Sequence, residues 1–121
     1  MCIRDRLYWA PRHVARLWKP REIYISENGT SSKDKPDKDG RVYDLDRLMY
    51  LRNCLTQLRR ATAEGVPVHG YFLWSLLDNF EWADGYATRF GLFHVDYATQ
   101  KRTPKLSASF YREVIARNAP A

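Results

Sequence analysis

The sequence predicts an α/β fold in which two parallel strands are joined by a helix. Three observations lead to this prediction: a β-branched and aromatic run at residues 22–26, an amphipathic stretch at 44–64, and a nearly continuous apolar run at 66–77. A continuous apolar run is typical of a strand that is covered on both faces, as in parallel sheets. Two such strands cannot complete a sheet, so the chain is predicted to be part of a larger α/β protein.

The first third of the chain is predicted to contain a helix, a strand and a long loop. Residues 7–20 place apolar side chains between arginines at helical spacing and end at Pro20, which stops a helix. The run from Glu22 to Ser26 lies between Pro20 and Gly29 and is typical of a strand. The polar stretch from Gly29 to Tyr43 is predicted to be a loop, and loops of this length are usually functional or flexible.

The central helix is predicted to begin after Asp44, a suitable N-cap, and to end near Glu64 and Gly65. Cys54 lies at the edge of its apolar stripe and is expected to be a small buried thiol. The stripe consists of leucines at 3-4-3 spacing: Leu48, Leu51, Leu55 and Leu58. The arginines fall mostly off that stripe: Arg47, Arg52, Arg59 and Arg60.

The chain is predicted to close with a helix over residues 104–118, after a loop-rich segment. Thr103 and Pro104 are expected to be its N-cap and first residue, and Leu106, Phe110 and Val114 are expected to face inward.

Composition and charge exclude several classes of protein. Apolar residues make up 45% of the chain, which excludes wholesale disorder, and no apolar run approaches the length of a membrane helix. The net charge of +6 comes largely from the first 21 residues, so no basic face predicts a nucleic-acid partner. Cys2 and Cys54 are too few for a disulfide scaffold and lack metal-ligand spacing. We therefore expect a cytoplasmic protein without a metal or a membrane partner.

Aromatic residues are concentrated between residues 71 and 97, where nine of the 17 in the chain occur. A well-filled core would explain some of them. They alternate, however, with polar side chains that are rarely buried without a partner, among them Asp78, Asn79 and Glu81. Aromatic faces beside carboxylates and amides suit a ligand with apolar faces and many hydroxyls, such as a sugar ring.

Two carboxylates are predicted to lie at the carboxyl ends of the strands, where sites collect in parallel α/β folds. Glu27 follows the first strand directly, and Glu81 comes a few residues after the second. Each also has a structural explanation. Glu27-Asn28-Gly29 is a plausible turn, and Asp78, Asn79 and Glu81 could cap a helix or bind loop backbone. A retaining glycosidase needs such a pair, a nucleophile and a proton donor about 5–5.5 Å apart.

Several motifs occur in order along the chain: residues 23–29 (IYISENG), 74–82 (WSLLDNFEW), 90–97 (FGL then VDY) and 102–107 (RTPK then Ser). In this order and spacing they resemble glycoside hydrolase family 1, the β-glucosidases, over about residues 7–118. The resemblance implies a (β/α)8 TIM barrel, of which this chain would be the C-terminal quarter, strands 7 and 8 with their helices. Residues 1–6 match nothing in this pattern, and this N-terminal extension is a candidate for a cloning or sequencing artefact.

The resemblance also implies a role for each candidate site residue. Glu27 would be the catalytic nucleophile, and Glu81 would accept hydrogen bonds from the 4- and 6-hydroxyls of the sugar. Trp74 would form the floor of the pocket, Trp82 would donate its indole N–H to the 3-hydroxyl, and Phe90 would line the pocket wall. The peptide bond after Trp74 is expected to be cis.

The acid/base glutamate of the family lies in an Asn-Glu-Pro motif that this sequence lacks. A barrel takes about 250 residues, so 121 residues cannot contain it. We therefore expect a fragment of a retaining β-glycosidase that acts on β-glycosides or oligosaccharides with terminal glucosyl or related residues, needs no cofactor, and is inactive by itself. The alternative is a non-catalytic carbohydrate-binding module that uses the same aromatic residues and Glu81.

Overall fold

A computed structural model describes residues 5–120, which form three helices, two small sheets and a short 3-10 helix at Trp82–Asp84. Residues 1–4 of the predicted extension, Cys2 included, and residue 121 lie outside the described residues. The elements in chain order are α1 (Arg6–Trp18), β1 (Ile23–Asn28), α2 (Leu45–Ala63), β2 (Val68–Leu73), β3 (Phe93–Val95), β4 (Arg102–Pro104) and α3 (Leu106–Arg117).

The first sheet has the predicted parallel topology, with β1 hydrogen-bonded to β2 and α2 as the connection between them. The register of the two strands is irregular near their carboxyl ends. Ile25 pairs with Tyr71 and Asn28 pairs with Leu73, so three steps along β1 match two along β2. The extra residue is a β-bulge at Ser26 and Glu27. The strand is therefore longer than the predicted 22–26, and Glu27 lies inside it rather than after it.

The core beside this sheet lies between α1, α2 and the start of β2. Tyr8, Ala61 and Val66 are buried together, and Ile23 packs against them. Helix α1 ends at Trp18, earlier than predicted, because Lys19 adopts a left-handed conformation before the proline. Other apolar side chains of α1 are more than half exposed in the part of the chain that the structure describes: Trp9, Leu17 and Trp18.

Helix α2 has most of the predicted stripe, and Cys54 is buried as expected. The stripe leucines are buried except the half-buried first one: Leu48, Leu51, Leu55 and Leu58. The prediction for Arg47 was wrong, because this side chain is only 1% exposed and forms ion pairs with buried carboxylates. Asp44 precedes the helix but does not cap it, since its carboxylate accepts bonds from the backbone N–H of Ser107 at 2.9 Å and from the Ser107 hydroxyl.

Strand β2 is shorter than the predicted run. The described residues 5–120 do not cover both of its faces, since Phe72 is 59% exposed. The loop-rich segment contains an antiparallel hairpin, β3 with β4, in which Thr103 pairs with His94. The predicted start of the last helix was therefore wrong. Pro104 is the last residue of β4, where a missing donor is tolerated, and Lys105 precedes α3.

Candidate active site

The parallel pairing of β1 and β2 brings the residues around Glu27 and Trp74 to the same edge of the sheet. The backbone N–H of Trp74 donates to the carbonyl of Asn28 at 3.0 Å. A Cβ on Gly29 would lie 1.8 Å from the Trp74 carbonyl oxygen, so only glycine fits there. The Glu27 side chain is exposed and sits in the bulge, a feature that re-aims side chains and is frequent beside active sites.

Asn28 is held from both sides by tyrosines, which the sequence did not predict. Its side-chain oxygen accepts a bond from the Tyr71 hydroxyl at 2.8 Å, and its amide donates to the Tyr50 hydroxyl at 3.0 Å. Burial raises the pKa of Tyr71 well above its ordinary value, so this hydroxyl is protonated and donates. The residue after Glu27 is therefore fixed through its side chain as well as its backbone.

Trp74 and Glu81 are in direct contact, since the indole Nε1 donates to the Glu81 Oε1 at 3.2 Å. Trp74 is 37% exposed and Glu81 is half-buried, so both residues remain open to a ligand. The peptide bond between Trp74 and Ser75 is cis, as the resemblance predicts. Two of the predicted binding residues therefore share one surface.

Glu81 begins a tight turn that ends at Gly85. Its backbone N–H donates to the Gly85 carbonyl at 2.7 Å, and its carbonyl accepts from Asp84 at 2.8 Å. Gly85 has a φ of 58° and a ψ of −127°, a region that glycine alone occupies readily. The turn leaves Trp82 84% exposed. Phe90 is half-buried, and its carbonyl accepts a bond from Ser75 at 3.3 Å.

The base of this loop is held by the buried carboxylate of Asp78. It accepts bonds from the Lys105 ammonium at 2.7 Å, the Arg89 guanidinium at 2.6 Å, and the backbone N–H groups of Gly91 at 2.9 Å and Val95 at 3.3 Å. A Cβ on Gly91 would lie 2.2 Å from the Asp78 nitrogen, so the two ends of the loop meet without room for a side chain.

A second buried carboxylate, Asp34, anchors the loop after Glu27. It accepts bonds from Lys105 at 2.5 Å and Arg47 at 2.7 Å. Arg47 also donates to the carbonyls of Thr30 at 3.2 Å and Arg89 at 2.8 Å. Burial alone would raise the pKa of Asp34, but the hydrogen bonds from Arg47 and Lys105 more than offset it, so this pKa lies below its ordinary value.

Together these side chains form what we call the buried ion cluster, which contains three acids and three bases: Asp34, Asp44, Asp78, Arg47, Arg89 and Lys105. Sequence reasoning missed it because its members come from five separate segments of the chain, and each charged side chain taken alone resembles a solvated one. The only signal was that Asp78 could bind loop backbone, and it does.

Two absences hold for residues 5–120. No group of three or more potential ligand side chains is arranged to hold a metal ion. No helix there has the length and apolarity that crossing a bilayer requires.

The chain matches a known protein family over nearly its whole length. The family described as Glycosyl hydrolase family 1 matches residues 3–120. Beta-glucosidase A of Thermotoga maritima is 48% identical over 114 residues, which are 94% of this chain and 26% of that protein. A 1,4-beta-D-glucan glucohydrolase of Thermotoga neapolitana has the same identity over the same shares.

Solved structures agree with the sequence matches. A family 1 β-glucosidase from Thermotoga maritima in complex with isofagomine lactam superposes with a TM-score of 0.95 at 47% identity, covering 97% of this chain and 27% of that one. The match is consistent with the predicted α/β fold being part of a TIM barrel. The chain spans about a quarter of the length of the relatives it matches. By its motifs, its fold and these matches, the chain belongs to glycosyl hydrolase family 1.

Proposed function

We propose that this chain is the C-terminal part of a retaining β-glycosidase and supplies strands 7 and 8 of its (β/α)8 barrel. The observation that carries the proposal is the juxtaposition of an exposed carboxylate, Glu27, in a strand-end bulge with the Trp74–Glu81 pair on the neighbouring strand end. The printed names of the relatives, a β-glucosidase and a glucan glucohydrolase, support terminal β-linked glucosyl or related residues as the substrate.

In this mechanism a carboxylate oxygen of Glu27 attacks the anomeric carbon and forms a glycosyl ester. The bond to the leaving oxygen breaks, and that oxygen takes a proton from an acid outside this chain. Water then attacks the anomeric carbon, gives its proton to the same group, and releases Glu27 as a carboxylate. Two displacements at one carbon retain the configuration of the substrate.

The remaining candidate residues would bind and orient the sugar. Trp74 offers an aromatic face and Glu81 a carboxylate acceptor next to it. The exposed indole of Trp82 offers an N–H donor, and Phe90 offers an apolar wall. Several of the solved neighbours are complexes with small molecules, among them castanospermine and glucoimidazole, which supports a small-molecule glycoside as the ligand.

The proposal also includes expectations about the chain by itself and about its surroundings. Because the Asn-Glu-Pro motif of the resemblance is absent from the sequence, we expect residues 1–121 by themselves to be inactive on an aryl β-glucoside. The cytoplasmic setting and the lack of a nucleic-acid or membrane partner stay predictions.

The test uses a hybrid enzyme in which this chain replaces the matching 114-residue segment of Beta-glucosidase A of Thermotoga maritima. We expect the hybrid to hydrolyse an aryl β-glucoside and to release the β-anomer first, as followed by proton NMR. Glu27→Gln keeps size and hydrogen bonding but removes the nucleophile, so turnover should fall by several orders of magnitude.

Glu22→Gln is the matched control, because Glu22 is an exposed carboxylate just before the same strand. Its turnover should equal that of the unaltered hybrid. Comparable turnover in Glu27→Gln would contradict the assignment of the nucleophile. A folded hybrid that binds glucosides without cleaving them would favour the carbohydrate-binding alternative.

A further inference from the structure

We propose that Lys105 is a positioning residue of this active site. Its ammonium joins the loop that follows Glu27 to the loop that carries Glu81, and so sets the sugar-binding carboxylate relative to the nucleophile. The inference rests on the proposed function, since it concerns the same site.

Lys105 is fully buried, and its Nζ lies between two carboxylates from different parts of the chain. It donates to Asp34 Oδ2 at 2.5 Å and to Asp78 Oδ1 at 2.7 Å. Asp34 is seven residues after Glu27, and Asp78 is three residues before Glu81. One cation therefore links the segments that carry the two glutamates.

The bridge made by Lys105 acts on the whole loop of residues 78–95, which we call the sugar-binding loop, because Asp78 binds both sides of it. Its carboxylate accepts from Gly91 and Val95, the far side of the loop, while its own backbone N–H donates to the Phe93 carbonyl at 3.1 Å. A displacement of Asp78 would move both ends of the segment that carries Glu81, Trp82 and Phe90. The position of this segment therefore depends on the Lys105 ammonium.

The link also reaches the loop after Glu27. The backbone N–H of Ser32 donates to the Arg89 carbonyl at 3.1 Å, so this loop and the sugar-binding loop touch directly. Among residues 5–120, the second oxygen of Asp34, Oδ1, is buried and has no hydrogen-bond partner. Within that range its side chain is held by Lys105 and Arg47. Without Lys105, Asp34 would keep Arg47 and Asp78 would keep Arg89, but the cation between the two carboxylates would be lost. The two carboxylates would then repel one another in a buried site, and the two loops would shift apart.

The backbone of Lys105 is fixed independently of its side chain. Its N–H donates to the Leu92 carbonyl at 2.9 Å, and the next residue, Leu106, donates to Val42 at 3.0 Å. A substitution of the side chain therefore removes the bridge without freeing the start of α3. Buried ion pairs are often no more stabilising than apolar replacements, so we assign the bridge to geometry rather than stability.

The test compares two aryl substrates in the hybrid enzyme, a β-glucoside and its 6-deoxy analogue. The kcat/KM for the glucoside divided by that for the 6-deoxy analogue reports the contact between Glu81 and the 6-hydroxyl. We expect this ratio to be about 10 to 100 in the unaltered hybrid, the value of a hydrogen bond to a charged group. We expect Lys105→Met to lower this ratio about tenfold, toward the value of Glu81→Ala. Lys101→Met changes an exposed lysine in the turn of the hairpin that precedes Lys105, and it should leave the ratio unchanged.

A second variant guards against misfolding of the first. Asp34→Asn with Lys105→Met removes one charge of each sign, keeps the cluster neutral, and should fold while still lowering the ratio. A folded double variant with an unchanged ratio would overturn the positioning role. Failure of both the single and the double variant to fold would overturn it too, because Lys105 would then be needed for folding rather than for positioning. An unaltered hybrid that does not hydrolyse the glucoside would instead contradict the proposed function, and the inference with it.

Discussion

The candidate site residues Glu27, Trp74, Glu81, Trp82 and Phe90 form what we call the rim. The rim and the buried ion cluster lie close in sequence but differ in the exposure of their side chains. Glu27 is exposed at the strand edge, and Trp82 is 84% exposed beside Glu81. Asp78 and Lys105, in contrast, have no exposed side-chain surface. Rim side chains are open to a ligand, whereas the charged side chains of the cluster are paired with one another. The comparison separates residues that we propose bind a substrate from residues that we propose hold them in place.

The largest expected effect is on stability and comes from a substitution within the cluster. Arg47→Met leaves Asp34 and Asp44 buried without their shared cation, and removing one member of a buried ion pair costs about 3–5 kcal/mol. We expect the free energy of unfolding of the hybrid enzyme, measured in urea, to fall by about that amount.

Arg59→Met is the control, because Arg59 is an exposed arginine of the same helix. It should change the free energy of unfolding by less than about 0.5 kcal/mol. An Arg47→Met hybrid as stable as Arg59→Met would mean that the cluster is not a structural unit.

A smaller effect is expected at the rim and in catalysis rather than stability. Glu81→Ala removes an acceptor whose bonds should strengthen as the sugar approaches the transition state, so kcat should fall and KM should rise. We expect kcat/KM to fall about 10- to 100-fold. Asp84→Ala, an exposed acid in the same turn, should change kcat/KM little. A change in KM alone would make Glu81 a ground-state contact.

The smallest expected effect is a pH dependence at the boundary of the cluster. His94 is 8% exposed, and burial together with the Arg89 and Lys105 cations lowers its pKa, although Asp78 and Asp34 oppose this. The folded state therefore binds fewer protons at this site than the unfolded state. Its contribution is present above the ordinary histidine pKa of about 6.5 and is lost as the pH falls through the lowered value.

We expect the Tm of the hybrid enzyme to fall between about pH 7 and pH 5, and His94→Asn to flatten that part of the curve. His13→Asn, an exposed histidine on α1, should leave the curve unchanged. Asp34, with its lowered pKa, contributes above about pH 4 and loses its contribution below it, so the two groups act in separate ranges. Curves that coincide for His94→Asn and the unaltered hybrid would contradict the assignment.

The rim and the cluster also differ in how well they could be predicted from the sequence. The rim residues lie in contiguous motifs. The strand ends indicated Glu27 and Glu81, the family resemblance indicated Trp74, and the parallel strands bring Glu27 and Trp74 to one edge of the sheet. Their roles stay predictions.

The cluster depends on contacts such as Asp44 with Ser107, which are 63 residues apart. Such contacts leave no periodic trace. For the same reason Arg47 was placed off the apolar stripe of its helix. The start of α3 was misplaced because Thr103 and Pro104 fit a helix start as well as a strand.

Gly29 shows how a position with no chemistry can govern the site. Its constraint is space rather than backbone freedom, since an added methyl group would meet the Trp74 carbonyl oxygen. Any larger residue would push apart the two strand ends that carry Glu27 and Trp74. A survey of substitutions at this position would therefore measure the tolerance of the site to strand spacing, and a deleterious variant there would be indistinguishable in activity from damage to the nucleophile itself.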